Sequence, residues 1–248
     1  ADVRESLRFA SNGYAAGTHT RDFRHHGTDS TLHIGNSLAL NERLRVQTGL
    51  ALINTQRDVQ VTWPSSGGRL REHDWDYAPR LGFTWQHSAQ TQWFGNLSRS
   101  VEAPHPWSMI WGSNQYFAAG NGPSTGRQRS PVPMQNQTAT TLELGARGDA
   151  ALGRWELTGY YAHVNHELLT VELQPVPNLF IAENNASPTV HRGIEAGLDS
   201  TLWQGVPGRL SLRQAYTFSD FRYRHDTRFG SNRLPGLPQH SYQAELRF

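Results

Sequence analysis

The stretch Asp74–His87, DWDYAPRLGFTWQH, restricts the possible folds more than any other part of the chain. Trp75, Tyr77, Leu81, Phe83 and Trp85 fall on every second position, with Pro79 the one gap. Asp76, Ala78, Arg80, Gly82, Thr84 and Gln86 lie between them. Successive side chains of a strand point to opposite faces, so a strand here has one aromatic, apolar face and one polar, small face. Trp and Tyr at one end, Trp at the other, and Leu and Phe between is the order of a strand crossing a bilayer between two aromatic girdles. A soluble β-sandwich strand shares the alternation without that terminal placement of aromatics.

The same period recurs along the chain. Residues 5–16 alternate weakly, with Leu7 and Phe9 on one face, and a polar segment without periodicity over 17–28 reads as a loop. Leu32, Ile34, Leu38 and Leu40 then alternate with polar or small residues, and Asn41-Glu42 turns into a strand carrying Leu44, Val46, Leu50 and Leu52. Past Ile53 the phase slips, and Val59, Val61 and Trp63 resume on odd positions, which predicts a bulge or an extension beyond the membrane. Further strands are expected through Trp93, Gly95 and Leu97, over 136–149, through Trp155, Leu157, Gly159 and Tyr161, and over 190–202. The last two carry Leu210, Leu212, Tyr216 and Phe218, then Tyr242, Ala244, Leu246 and Phe248. Arg192 is the exception on its apolar face, tolerable near an interface and costly at the midplane.

About ten strands result, and their connections are unequal. Those at 41–42, 87–91, 150–154 and 204–208 are short; those at 17–28, 64–73, 102–135, 172–189 and 225–236 are long. Short and long alternate strictly. A soluble sandwich has no reason to sort its loops by end, whereas outer-membrane barrels join their strands by tight periplasmic turns and long extracellular loops. The expected fold is therefore all-β, an antiparallel transmembrane β-barrel.

Composition narrows the function. No run approaches the roughly 18 apolar residues of a transmembrane helix, and a mean hydropathy of -0.63 fits barrel strands that are half polar. There is no Cys among the 248 residues, which excludes disulfides and thiolate metal sites. All 23 basic residues are Arg. Codon bias in a GC-rich genome accounts for that; so does the fit of Arg forks to phosphate and carboxylate groups on lipopolysaccharide or an anionic ligand. A net charge of +2, spread along the chain, excludes a nucleic-acid footprint.

Several stretches resemble the barrel of TonB-dependent outer-membrane receptors. YAPRLGFTWQHSAQTQWFGNLSRSVEAPHPWSMI is similar to that family's strand–turn–strand and the junction after it. QNQTATTLELGARG and HRGIEAGLDSTLW resemble later strands, and YTFSDFRY with NRLPGLPQHSYQAELRF resembles its ending region. The resemblance implies that residues 1–248 are the C-terminal portion of a 22-stranded barrel whose plug domain lies outside this chain. It further implies an outer-membrane location in a Gram-negative cell and import of a scarce ligand, most simply a ferric siderophore or similar iron chelate. The implied partners are the TonB system acting through the plug, lipopolysaccharide and other outer-membrane lipid, and the chelate itself, with no resident cofactor and no catalysis. Other readings are a small ten-stranded porin or outer-membrane enzyme, a soluble β-sandwich, or uptake of a different cofactor-like ligand such as cobalamin, a quinone cofactor or another metal chelate.

The residues proposed to touch a ligand lie on the 102–135 loop: His105, Trp107, Trp111, Tyr116, Phe117, Arg127 and Arg129. Exposed aromatics and Arg there suit a planar, anionic chelate; equally, the aromatics pack the loop against its neighbours. His19, His25 and His26, and His163 with His166, lack metal-ligand spacing and read as solvated loop residues. Glu72, Asp74 and Asp76 beside His73 suggest an acidic catalytic pair, but a polar lumen wall needs the same residues. The mixed-sign set Arg80, Glu143, Arg147, Glu195, Asp199, Arg209, Arg213, Glu245 and Arg247 reads as that wall.

Overall fold

The computed structural model describes residues 2–8, 17, 19–63, 68–111, 131–174, 180–227 and 229–248. Its strands are β1 (Asp2–Arg8), β2 (His19–Ala39), β3 (Leu44–Trp63), β4 (Arg69–Gln86), β5 (Thr91–Glu102), β6 (Gln137–Ala150), β7 (Gly153–Asn165), β8 (Leu168–Gln174), β9 (Phe180–Asn185), β10 (Thr189–Gln204), β11 (Arg209–Tyr223) and β12 (His240–Arg247). One short helix, α1 (Pro106–Trp111), follows β5. Ten strands form one antiparallel sheet in the order β1 to β7, then β10, β11 and β12, and β8 pairs with β9 as a separate hairpin.

The period-2 pattern sorts side chains between two faces. On one face Leu32 is 69 % exposed, Ile34 74 % and Leu38 54 %. Exposed apolar residues continue across the sheet through Leu52, Leu81, Leu97, Leu142, Leu157, Ile194 and Leu246. An apolar surface this continuous is stable against hydrocarbon and not against water. Trp85, Trp93 and Trp203 border it at the short-turn end; Trp75, Tyr77 and Tyr161 border it at the long-loop end. This is the outer face. The opposite face is polar: Arg213 lies 3.7 Å from Asp199, Arg247 2.7 Å from Glu245, and Arg147 donates to Gln92 at 2.8 Å. A cavity of about 650 Å³ is lined jointly by Gln86, Gln92, Arg147, Glu156, Asp199 and Arg213, which come from six strands. The sheet therefore curves around its polar face.

The turns are tight for local reasons. The Asn41 side-chain oxygen accepts the N–H groups of Arg43 and Leu44, each at 2.8 Å, and closes the β2–β3 hairpin. Gly153, at φ +127, opens β7 in a conformation that a side chain would strain.

At the long-loop end several expectations are corrected. The polar segment over 17–28 belongs to β2 from His19 onward, pairing from Asp22 to Thr28 with Trp63 to Gln56. Ladder bonds use backbone groups, so beyond the lipid a strand needs no apolar alternation. The phase slip past Ile53 involves no bulge in β3: its register with β4 is unbroken from Leu44↔Trp85 to Gln60↔Arg69. It marks the extension, where the inner face becomes apolar at Val59 and Val61. The loop expected over 64–73 gives way to strand at Arg69, and the loop over 172–189 contains most of the β8–β9 hairpin. The first strand ends at Arg8; residues 9–16 lie outside the described set.

The two faces should respond oppositely to charge. Leu81→Arg, on the outer face within the belt, should destabilise the folded protein in lipid or detergent by about 2–4 kcal/mol, against under about 1 kcal/mol for Gln47→Arg on the inner face. Equilibrium unfolding of both variants checks this, and equal costs would contradict the assignment of faces.

Candidate functional site

Beyond the girdle at the long-loop end, inward-facing Phe23, Val59 and Val61 are almost fully buried. Lipid cannot cover an inner face; the chain after β5 does. Phe23 and Val59 cluster with Met109 of α1 and Met134 of the returning segment, and Leu70, Trp107 and Leu168 pack around them. The Val132 N–H donates to the Met109 carbonyl at 2.7 Å, which ties the return to the helix.

Arg57 fastens the entry to this layer. It is buried, its guanidinium reaches both Asp29 oxygens at 2.6 and 3.2 Å, and its Nε donates to the Pro104 carbonyl at 2.9 Å. Pro106 lies over Gly27, where an added Cβ would meet its ring at ordinary contact distance, 3.5 Å. On the β4 side, Asn136 donates to Asp76 at 2.8 Å and to Thr55 at 3.1 Å. The base of the hairpin is held similarly: buried Glu167 accepts from Thr189 and lies 3.2 Å from His191 Nε2, which stacks on Phe221. Helix, returning segment and hairpin base therefore meet over the inner side of the sheet, bringing aromatic, histidine and carboxylate groups to one end of it.

His105 is exposed there, and its Nδ1 accepts the Trp107 N–H at 3.1 Å. Trp107 is half-buried with its ring 5.2 Å from Phe23, so packing holds it in place. Trp111 ends α1. Tyr116, Phe117, Arg127 and Arg129 lie outside the described residues. Of the histidines, His25 is buried inward beside Glu5 and His26 faces outward to Thr28. Their adjacency on a strand separates them, and His19, expected on a loop, is the first residue of β2 and pairs with Asp22. His73 faces outward and accepts from Asn54, away from Asp74 and Asp76 on the inner face. Asp76 is already engaged by Arg99 and Asn136. Among the described residues no group of three or more His, Asp or Glu is placed to hold a metal ion.

Phe23, Asp29 and Arg57 escape a reading for apolar period, because the first two stand in or beside a polar run. The odd-position Val59 and Val61 were their one visible signal, since an inward apolar pair requires cover.

The sequence matches the model of the TonB-dependent receptor-like β-barrel over residues 3–248. The chain belongs to that family. Solved structures share its fold. The ferric yersiniabactin uptake receptor FyuA from Yersinia pestis superposes with a TM-score of 0.63 at 14% identity, covering 92% of this chain and 33% of that one. The ferric citrate transporter FecA gives 0.66 at 15% identity, covering 94% and 32%. The ferric-catecholate import receptor Fiu from K12 E. coli gives 0.59 at 12%, covering 92% and 33%. This chain thus spans about a third of the length of those structures. No curated protein matches it by sequence. The family and these structural neighbours are transport receptors, not enzymes.

Glu72 gives the site a pH signature. Partial burial, with the nearby Asp74 charge, holds its carboxyl above the ordinary range, partly offset by the Met134 N–H. A carboxyl raised by folding favours the native state when protonated, so stability falls as pH rises from about 4.5 through the elevated value. Glu72→Gln should match the wild type near pH 4 and be the more stable near pH 7. Thermal unfolding at both pH values checks this, and equal stability at both would contradict it.

Proposed function

We propose that this chain forms wall and extracellular surface of a receptor in a Gram-negative outer membrane. The receptor captures a scarce ligand, an iron chelate such as a ferric siderophore, and imports it with energy relayed by TonB. The family match over residues 3–248 carries the reading. The inward packing of α1 and Met134 supports it, because it sets His105 and Trp107 over the inner side where a ligand would enter. Three structural neighbours take up ferric yersiniabactin, ferric citrate and ferric catecholates, which favours iron chelates as the cargo class.

In this reading the inner ion-paired wall faces a plug domain that couples to TonB, the sheet continues from β1 and β12 into a 22-stranded barrel, and the outer face meets lipid and lipopolysaccharide. Residues 1–248 are then barrel throughout. His105, Trp107, Trp111, Tyr116, Phe117, Arg127 and Arg129 are the proposed ligand contacts. Trp107 does double duty: its buried part docks the loop and the remainder meets the chelate.

The full-length protein, produced in an iron-starved host, tests this. A ferric siderophore from a panel should bind it and support growth only when TonB is intact. Trp107→Ala with Arg127→Ala should weaken that binding by about tenfold or more, and Arg127→Ala alone should weaken it while leaving the loop docked. Binding unchanged in both variants would remove these residues from the site; growth without TonB would remove the transport reading.

A further inference from the structure

The outer face changes character abruptly where β10 and β11 leave the apolar belt. Ile194 and Phe218 are paired, and the next outward pair is Arg192 with Asp220, followed by Val190 with Arg222. On the other side Arg192 pairs with the girdle residue Tyr161. Arg233 comes from the segment after β11, which folds back so that Arg233 bridges Arg222 and the Leu234 N–H donates to Phe221.

Three guanidiniums thus converge on one carboxylate. Arg192 donates to Asp220 through Nε at 3.0 Å and Nη2 at 2.8 Å, Arg222 through Nε at 2.9 Å, and Arg233 through Nε at 3.1 Å. The Asp220 side chain is only 6% exposed, whereas those of Arg192, Arg222 and Arg233 are 57%, 38% and 48% exposed. The Arg222 and Arg192 guanidiniums hold the Asp220 carboxyl down to about 2, so it stays ionised at any physiological pH. Three positive charges against one negative leave a net charge of +2, fixed because Arg does not deprotonate. A guanidinium has five N–H donors, and the carboxylate takes one or two from each. The remaining donors are not taken by Asp220, and they belong to three partly exposed side chains in one electropositive cluster.

We propose that Arg192, Arg222 and Arg233, gathered by Asp220, form a docking site for the phosphomonoester group of a lipid headgroup in the outer leaflet. Three features select that occupant. The cluster follows the last apolar pair of the belt, Ile194 with Phe218, on the face turned to lipid, which is where headgroups begin. Its excess charge of two matches a phosphomonoester, which carries about −1.5 to −2 at neutral pH. Its donors are planar forks, the geometry suited to phosphate oxygens. The inference rests on the outer-membrane reading above and adds the residues and headgroup chemistry.

Thermal unfolding of the full-length protein in detergent tests it, titrating three additives: lipid A, lipid A stripped of its phosphates, and inorganic phosphate. Lipid A should raise the unfolding temperature, the dephosphorylated lipid should need at least about tenfold higher concentration for the same shift, and inorganic phosphate should do less than lipid A. Arg192→Gln with Arg222→Gln should abolish the difference between the two lipids. If that variant does not fold, Arg233→Gln, on the folded-back segment, should narrow the difference, and the wild-type comparison stands alone. Equal shifts from both lipids would overturn the proposal, as would inorganic phosphate alone matching lipid A. Fractionation separates this from the parent reading: a protein absent from the outer membrane sinks that reading, while a membrane-embedded protein blind to the phosphates sinks only this site.

Discussion

A strand in hydrocarbon can place its backbone N–H and C=O groups only against another strand, and the arrangement of this chain follows from that. Ladders run without interruption through the belt and beyond it: β2 with β3 from Phe23 to Ala39, β3 with β4 from Leu44 to Gln60, and β10 with β7 from Thr189 to Asp199. The β4–β5 ladder stops at Arg80, the residue after Pro79, whose nitrogen has no proton to donate. Arg99 fills the gap, donating to the Tyr77 carbonyl and to Asp76 while its guanidinium lies 4.6 Å above the Tyr77 ring. The one gap in the alternation from Trp75 to Trp85 is thus where the sheet needs a side chain to complete its hydrogen bonding.

With the backbone satisfied, side chains are free to divide by solvent. The ion pairs of the inner wall are exposed, as at Arg213–Asp199 and Arg247–Glu245, and such pairs contribute little each, about 0–1 kcal/mol. Their role is to keep a concave surface polar. The asymmetry that matters lies at the long-loop end, where β2 and β3 outrun the membrane. There the inner face turns apolar at Phe23, Val59 and Val61, and the chain folds α1 and Met134 back over it. The same inversion occurs outside, where the apolar belt ends in Arg192, Asp220 and Arg222. Both functional proposals occupy these reversals, one facing the lumen and one facing lipid.

The belt strands were legible because lipid imposes one rule on every second residue; Leu32 to Leu40, Leu44 to Leu52 and Trp75 to Trp85 all follow it. The extension was not, because no single solvent acts on it. His19 to Thr28 read as loop, yet they are strand held by backbone bonds to β1 and β3, and the β8–β9 hairpin was missed for the same reason. Arg192 stood out as a violation of its face, but its partner Asp220 lies 28 residues away in sequence, and Arg233 further still.

The sequence by itself determined the class of fold, the tight turns such as Asn41-Glu42, and which side chains meet lipid, since all three depend on local period and turn chemistry. Tertiary structure decided what closes over the inner face and what gathers just above the belt. Arg57 meeting Pro104, Asn136 meeting Asp76, and three arginines meeting one aspartate are contacts between segments far apart along the chain. Which partner a side chain finds at that distance is set by strand register and by how loops fold back, and neither leaves a periodic trace.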